Sequence, residues 1–117
     1  MAMIPDFTET EIWLVQSALK ERYGKDVDVQ LADGEIRLSS ADRELTEVPV
    51  LFWHERGANF VIFKTGPQRY RSQFYYRLHE QFSPGVDEFD DLSECAVTTL
   101  QVQADQEADS RTSDSGP

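Results

Sequence analysis

The sequence predicts an α+β domain in which helices pack on an antiparallel sheet. Three observations lead to this class: a capped helical segment near the N-terminus, several short apolar or alternating segments, and a later segment with apolar residues at intervals of four. The expected order is an N-terminal helix, a four-stranded antiparallel meander, a second helix, and a C-terminal helix or strand. The length of 117 residues suits a single domain.

The N-terminal helix has clear start and stop signals. Thr8 and Glu11 have the spacing of a capping box, with Thr8 as the N-cap. The helix is expected to run to about Tyr23, where Gly24 is suited to a left-handed end. Trp13 points away from the predicted apolar face, so this ring either contacts a partner or is covered by residues 3–5 or 86–102.

The middle of the chain predicts the meander. Asp33-Gly34 is a strong hairpin signal between two alternating segments, and Pro49 fits only near the start of its strand. Two central strands are apolar on both faces, so both faces need cover. A homodimer could cover the second face; the alternative is that the helices divide between the two faces. The four expected strands cover residues 27–31, 36–38, 48–53 and 60–63.

The second helix is expected over residues 67–82. Pro67 suits the first helical position, and an apolar stripe follows at intervals of four: Tyr70, Phe74, Leu78 and Phe82.

Residues 86–102 fit two patterns. Apolar residues fall within one helical arc, but residues 97–99 are all β-branched, and Ala96, Thr98, Leu100 and Val102 alternate as in a strand. We favour a helix here. Residues 104–117 contain no aliphatic side chain larger than alanine and no aromatic ring, so they predict a disordered acidic tail after a single domain over 1–103.

The charge distribution limits the function. With 11 basic and 22 acidic residues the net charge is −11, which argues against non-specific binding of duplex DNA. Residues 56–79 carry five bases and no acid, whereas residues 80–109 carry nine acids and no base. The favoured interpretation is that these blocks compensate each other; the alternative is an anion-attracting patch.

The sequence contains few signals for a cellular compartment or for a catalytic site. One cysteine excludes an internal disulfide, and no segment has the apolar length of a membrane span, so a cytoplasmic protein without membrane contact is expected. His54, His79 and Cys95 are the only residues on which a small enzyme could be built, and nothing around them marks a catalytic site. No metal site and no cofactor are predicted, and we lean towards a protein without catalytic activity.

The best candidate surface combines cations with aromatic rings, a mixture common at binding hot spots. It favours a protein-interaction or regulatory domain with an unknown protein partner. An anion-binding module for a phosphorylated ligand or single-stranded nucleic acid, formed by the arginines of residues 67–82, is the alternative. The small acidic α+β profile resembles that of secretion-type chaperones, which bind an unfolded segment of a partner, in size, charge and element mix. The candidate interface residues are Trp13, Arg69, Arg71, Tyr75, Tyr76, Arg77 and His79.

Overall fold

The computed structural model describes residues 4–38, 41, 43–76, 81–82 and 88–114. Five strands form one antiparallel sheet whose spatial order is the chain order. The predicted α+β class is confirmed, with its N-terminal helix, antiparallel meander and C-terminal helix. The elements are α1 (Glu9–Tyr23), β1 (Gln30–Ile36), β2 (Thr46–Glu55), β3 (Ala58–Gly66), β4 (Arg69–Tyr75), β5 (Gln81–Phe82) and α2 (Leu92–Asp114).

Helix α1 begins and ends where the sequence signals place it. The Thr8 hydroxyl accepts a hydrogen bond from the Glu11 amide at 3.1 Å, and the Thr8 amide donates to the Glu11 carboxylate at 2.8 Å. Gly24 has φ 70° and its amide donates to the Lys20 carbonyl at 2.8 Å. These contacts satisfy groups that the helix itself leaves without partners, so the local sequence fixes both ends.

The predicted hairpin at Asp33-Gly34 is wrong, because both residues lie inside the continuous strand β1. They pair with Pro49 and Val48 of β2. Glycine is required here by close packing: a Cβ atom on Gly34 would lie 2.9 Å from Val50 Cγ2. The dipeptide therefore lies in a close contact between β1 and β2 and does not reverse the chain.

The next two connections are tight turns. Arg56 and Gly57 both have positive φ, 55° and 77°, and join β2 to β3 in the geometry that suits a two-residue hairpin. Pro49 lies in the first half of β2, one residue before the pairing of β2 with β3 begins at Val50. It is the fourth of ten residues in β2 and lies within the pairing with β1, opposite Asp33, so the strand starts earlier than the predicted range of 48–53.

The predicted helix over 67–82 is wrong. Pro67 and Gln68 form a turn, with φ 58° at Gln68, and residues 69–75 form β4, which pairs with β3. An interval of four residues fits one helical face, but it equals two strand repeats as well. Tyr70 and Phe74 therefore share a sheet face together with Ser72, and pairing with β3 selects the strand.

Helix α2 resolves the ambiguity of the C-terminal region in favour of a helix. It starts at Leu92 and continues to Asp114, well past residue 103, where the tail was expected to begin. Residues 104–114 are thus helical, in contrast to the predicted absence of secondary structure. Residues 86–87 and 115–117 lie outside the described residues.

Both helices pack on the same face of the sheet. Leu51, Phe60 and Phe74 belong to one buried cluster that also contains Leu19 of α1 and Leu100 of α2. The predicted alternative that the helices divide between the two faces is therefore wrong for the described elements. No helix among them is long and apolar enough to cross a membrane.

Candidate interaction site

A buried charged cluster joins the first turn of α1 to the sheet. Lys64, which is 4% exposed, donates to the Glu11 carboxylate at 2.7 Å and to the Asp6 carbonyl at 3.0 Å. The Tyr70 hydroxyl donates to the other carboxylate oxygen of Glu11. The Lys64 ammonium also lies 5.7 Å from the centre of the Phe7 ring. Glu11 thus caps α1 and fixes it to β3 and β4 at the same time.

The pKa shifts in this cluster show which protonation states of Glu11 and Tyr70 the fold favours. Burial raises the pKa of Glu11, but hydrogen bonds from Lys64, Tyr70 and the Thr8 backbone outweigh it, so the pKa is lowered overall. Burial, and then the bond to Glu11, raise the pKa of Tyr70. At neutral pH Glu11 is therefore a carboxylate and Tyr70 a neutral phenol, and neither is poised to exchange a proton.

An open pocket of about 540 Å³ lies beside this cluster. Lys64, Glu11 and Tyr70 line it, together with Asp90 and Asp91 near the start of α2. The buried polar side chains of the cluster bond to groups of the chain itself: Lys64 to the Glu11 carboxylate and the Asp6 carbonyl, and Tyr70 to Glu11. We therefore interpret the cluster as a structural joint between α1 and the sheet.

The described residues proposed for an enzyme are not brought together. Cys95 is fully buried, and burial is the main cause that raises the pKa of its thiol to about 11. The Thr99 hydroxyl donates to the Cys95 carbonyl at 2.6 Å and lies 2.5 Å from the Ser72 hydroxyl. His54 is exposed on β2, where its Nδ1 lies 3.0 Å from the Asn59 side-chain oxygen. His79 lies outside the described residues.

The arginines proposed for anion binding already have acidic partners. Glu88 lies 3.3 Å from Arg69 and 3.5 Å from Arg71. Likewise Glu107 of α2 makes two hydrogen bonds to Arg56, at 2.9 and 3.1 Å. For these residues the basic and acidic blocks compensate each other, as the favoured interpretation of the charge pattern expected. Arg77 lies outside the described residues.

The aromatic candidates are in three different environments. Trp13 is 61% exposed on the outer side of α1. Tyr76 is half-buried: its ring meets Phe74 edge to face, and its hydroxyl accepts a hydrogen bond from Gln103 at 3.0 Å. Tyr75 lies half-buried on the sheet face opposite the helices. These three aromatic side chains therefore do not share one surface.

The face of the sheet opposite the helices has two different ends. At one end Arg71 reaches across from β4 and donates to the carbonyls of Arg37 and Leu38, just beyond β1. Val48 and Val50 lie at this end and are almost fully buried without any helix above them. Arg71 therefore spans this end of the sheet, from β4 to the segment just beyond β1.

The other end of this face is uncovered in the described part of the chain. We call it the open end. Phe52 is 37% exposed and lies opposite Val61, which is half-buried, on the neighbouring strand. None of its side chains is acidic, although the chain as a whole has a net charge of −11. The open end consists of Gln30, Phe52, His54, Asn59, Val61, Gln73 and Tyr75.

The sequence predicted that a second face of the sheet needs cover, but it did not identify which residues form the open end. The apolar character of both faces of β2 and β3 predicted that a second face would need cover, and Phe52 and Val61 are among the residues that carry this signal. Their role was missed because the face of a strand that the helices cover depends on where those helices dock. Tyr75 was found, but for a helical surface that does not exist.

Comparison with known proteins adds no assignment. No protein-family model, curated protein or solved structure matches this chain. Within the described residues, no group of three or more His, Cys, Asp or Glu side chains could hold a metal ion.

Proposed function

We propose that this protein is a small, non-catalytic protein-interaction domain of the cytoplasm, and that it binds a protein partner through the open end of the sheet. One observation carries the proposal: both helices pack on the same face and leave Phe52, Val61 and Tyr75 without a helix above them. Contiguous apolar surface that the fold leaves uncovered is a common feature of interaction sites.

The chemistry of the open end suits a protein contact. An apolar centre with a neutral polar border resembles the organisation of protein interfaces, in which charged residues are depleted from the core. His54, Asn59 and Gln73 provide donors and acceptors around Phe52. The seven side chains of the open end carry no carboxylate, but Asp28 borders them and accepts a hydrogen bond from the Gln30 side chain at 3.4 Å.

A second copy of the chain is the first partner to test. A symmetric contact places the same surface on both sides, and none of the seven side chains of the open end is acidic, so carboxylates would not meet at the centre of the contact. Stacking Phe52 and Val61 of two copies would remove both apolar strips from water. This homodimer would provide the cover that β2 and β3 require.

The proposed cytoplasmic location is supported by the thiol. Cys95 is the only cysteine and is free and buried, as suits a protein that does not depend on disulfides. Trp13 is the second candidate contact, since a large ring that is 61% exposed has no cover in the described part of the chain.

The test compares Phe52→Glu with Val97→Glu, which introduces the same charge at another exposed apolar position, 57% exposed on α2. Mass is measured by sedimentation at micromolar concentration, and protein partners are captured from cytoplasmic lysate on the immobilised chain. Phe52→Glu is expected to weaken association at least tenfold, because a charge in the centre of an interface costs more than about 1.4 kcal/mol. Val97→Glu should have no such effect.

The outcomes separate the partners. A wild-type dimer that Phe52→Glu converts to a monomer identifies a second copy. A monomer that captures one protein, lost only with Phe52→Glu, identifies a different chain. If both variants keep the mass and the captured proteins of the wild type, the open end is not the interaction site. Trp13→Ala is measured in the same way. It is expected to keep the fold and to weaken association if α1 contacts the partner.

A further inference from the structure

Strand β1 is an edge of the sheet with an unused side. It pairs with β2 along all seven of its residues, and no strand among the described residues lies along its other side. In an antiparallel sheet, alternate residues direct their backbone N–H and C=O groups away from the paired neighbour. An unpaired edge of this length can therefore accept another strand.

The side chains along this edge give it a specific chemistry. Leu31, Asp33 and Glu35 alternate on the helix side of the sheet, but the helices do not cover them, and all three are exposed. Glu35 lies directly opposite Glu47 of β2, an arrangement of like charges that destabilises a sheet. The edge thus presents an apolar residue followed by a concentration of negative charge.

These acids differ from several others in the molecule. Glu11, Glu88 and Glu107 all lie within ion-pair distance of a lysine or arginine. In the part of the chain that the structure describes, no cation lies within that distance of Asp33 or Glu35. The negative charge at the edge is therefore available to a cation from outside the chain.

A second copy fits this edge poorly. If two β1 strands paired antiparallel about Asp33, the two Asp33 side chains would lie opposite each other, and pairing about Gly34 would set Asp33 against Glu35. Pairing about Ala32 would set Asp33 against Leu31, so none of these registers brings a basic side chain opposite Asp33 or Glu35. Like charges directly opposite each other destabilise the pairing. The edge therefore favours a different chain that carries positive charge.

We propose that the outer edge of β1 binds an extended basic segment of another protein as an added antiparallel strand. The segment places two basic side chains beside Glu35 and Asp33 and an apolar side chain beside Leu31, with one residue between each. Backbone hydrogen bonds supply the pairing, and the alternating side chains supply the selectivity. The inference rests on the proposed function, in that the protein acts by binding proteins, but it uses a surface separate from the open end.

The probe is a synthetic seven-residue peptide, capped at both ends, with the sequence TKTKTLT. It is titrated into the ¹⁵N-labelled full chain at about 20 mM salt, where charge attraction is strongest. We expect saturable amide shifts at residues 30–36. The double variant Asp33→Asn/Glu35→Gln should bind about tenfold more weakly, since it removes two exposed ion pairs worth up to about 1 kcal/mol each.

Two controls separate strand pairing from charge attraction alone. The double variant Glu21→Gln/Glu94→Gln changes the net charge by the same amount as Asp33→Asn/Glu35→Gln, but at positions on the two helices. It should leave the affinity for the peptide unchanged. Two further peptides carry N-methyl groups on one or the other alternate set of backbone amides. Only one set faces β1 in an added strand, so one of these peptides must lose binding and the other must keep it.

The proposal is overturned if the peptide produces no shifts at residues 30–36, if both N-methylated peptides bind equally, or if the two double variants weaken binding to the same extent. Phe52→Glu keeps the two proposals apart, because it should leave peptide binding intact. Peptide binding in a chain whose open end has no partner would support the edge alone. Partner loss with Phe52→Glu and no peptide binding would support the open end alone.

Discussion

At the scale of single residues, the main finding is that the polar side chains with the most contacts serve the fold. Lys64 is buried, and its ammonium group has three interaction partners: the Glu11 carboxylate, the Asp6 carbonyl and the Phe7 ring. A buried ammonium is tolerated only with such partners. The pocket beside it therefore does not by itself indicate catalysis.

Lys64→Met is expected to lower the free energy of unfolding by about 3 kcal/mol, because it leaves the half-buried Glu11 carboxylate without its cation. Urea denaturation at pH 7 measures this loss. Lys25→Met is the matched control: it removes an exposed partner of Glu55, 3.0 Å away, and should cost less than about 1 kcal/mol. Equal losses in the two variants would contradict the structural role of Lys64.

The same pair has a defined dependence on pH. The pKa of Glu11 is lower in the folded chain than its ordinary value of 4.5, so its contribution to stability is complete above that value. The contribution is lost as the pH falls through the folded pKa. The difference between wild type and Lys64→Met should therefore narrow below about pH 4.5. A difference that stays constant down to pH 2 would show that the ion pair is not its cause.

At the scale of elements, β1 and β4 show how tertiary contacts override local signals. Asp33-Gly34 has the composition of a turn, but the residues on both sides pair with β2 in one unbroken register. A side chain at position 34 would crowd Val50, because its Cβ atom would lie 2.9 Å from Val50 Cγ2. A signal that usually marks a chain reversal here marks a tight contact between neighbouring strands.

Gly34→Ala should destabilise the chain by about 1–2 kcal/mol, because its Cβ atom would lie 2.9 Å from Val50 Cγ2. Val50→Ala removes that atom at a separate cost. In a double-mutant cycle, the combined variant should be less destabilised than the sum of the two changes, by about 1 kcal/mol. Thermal or urea unfolding measures all three chains. Additive effects would show that Gly34 has room for a side chain.

At the scale of the whole molecule, the fold offsets part of an uneven charge pattern. The basic block of residues 56–79 meets acids from further along the chain, since Glu88 contacts Arg69 and Glu107 contacts Arg56. The contact to Glu107 also connects the end of β2 to a part of α2 beyond residue 103. The domain boundary expected at residue 103 remains a prediction that truncation can test.

A chain that ends at Ala108 should unfold at the same temperature as the full chain within about 2 °C. A chain that ends at Gln103 should unfold at a temperature about 5 °C lower. It lacks Glu107, which accepts a hydrogen bond from the buried Gln103 side chain, and its last helical turn, which contains Gln103, would fray. Differential scanning calorimetry measures both. Equal midpoints for the two truncations would instead support a domain that ends at residue 103.

The sequence by itself determined the parts of this protein that depend on near neighbours. Thr8, Glu11 and Gly24 set the ends of α1, because each group is satisfied by a partner within four residues. The apolar segments of β2 and β3 were identified as central strands. The need for cover on a second sheet face also followed from composition alone.

Only the tertiary structure decided what depends on distant contacts. Tyr70 and Phe74 fit a helix and a strand equally well, and pairing with β3 chose the strand. The side on which α1 and α2 dock decided that Phe52 and Val61 remain at the surface while Leu51 and Phe60 are buried. A repeat of four residues satisfies both periods, and a strand that is apolar on both sides does not specify which side the helices cover. Non-local packing had to make both choices.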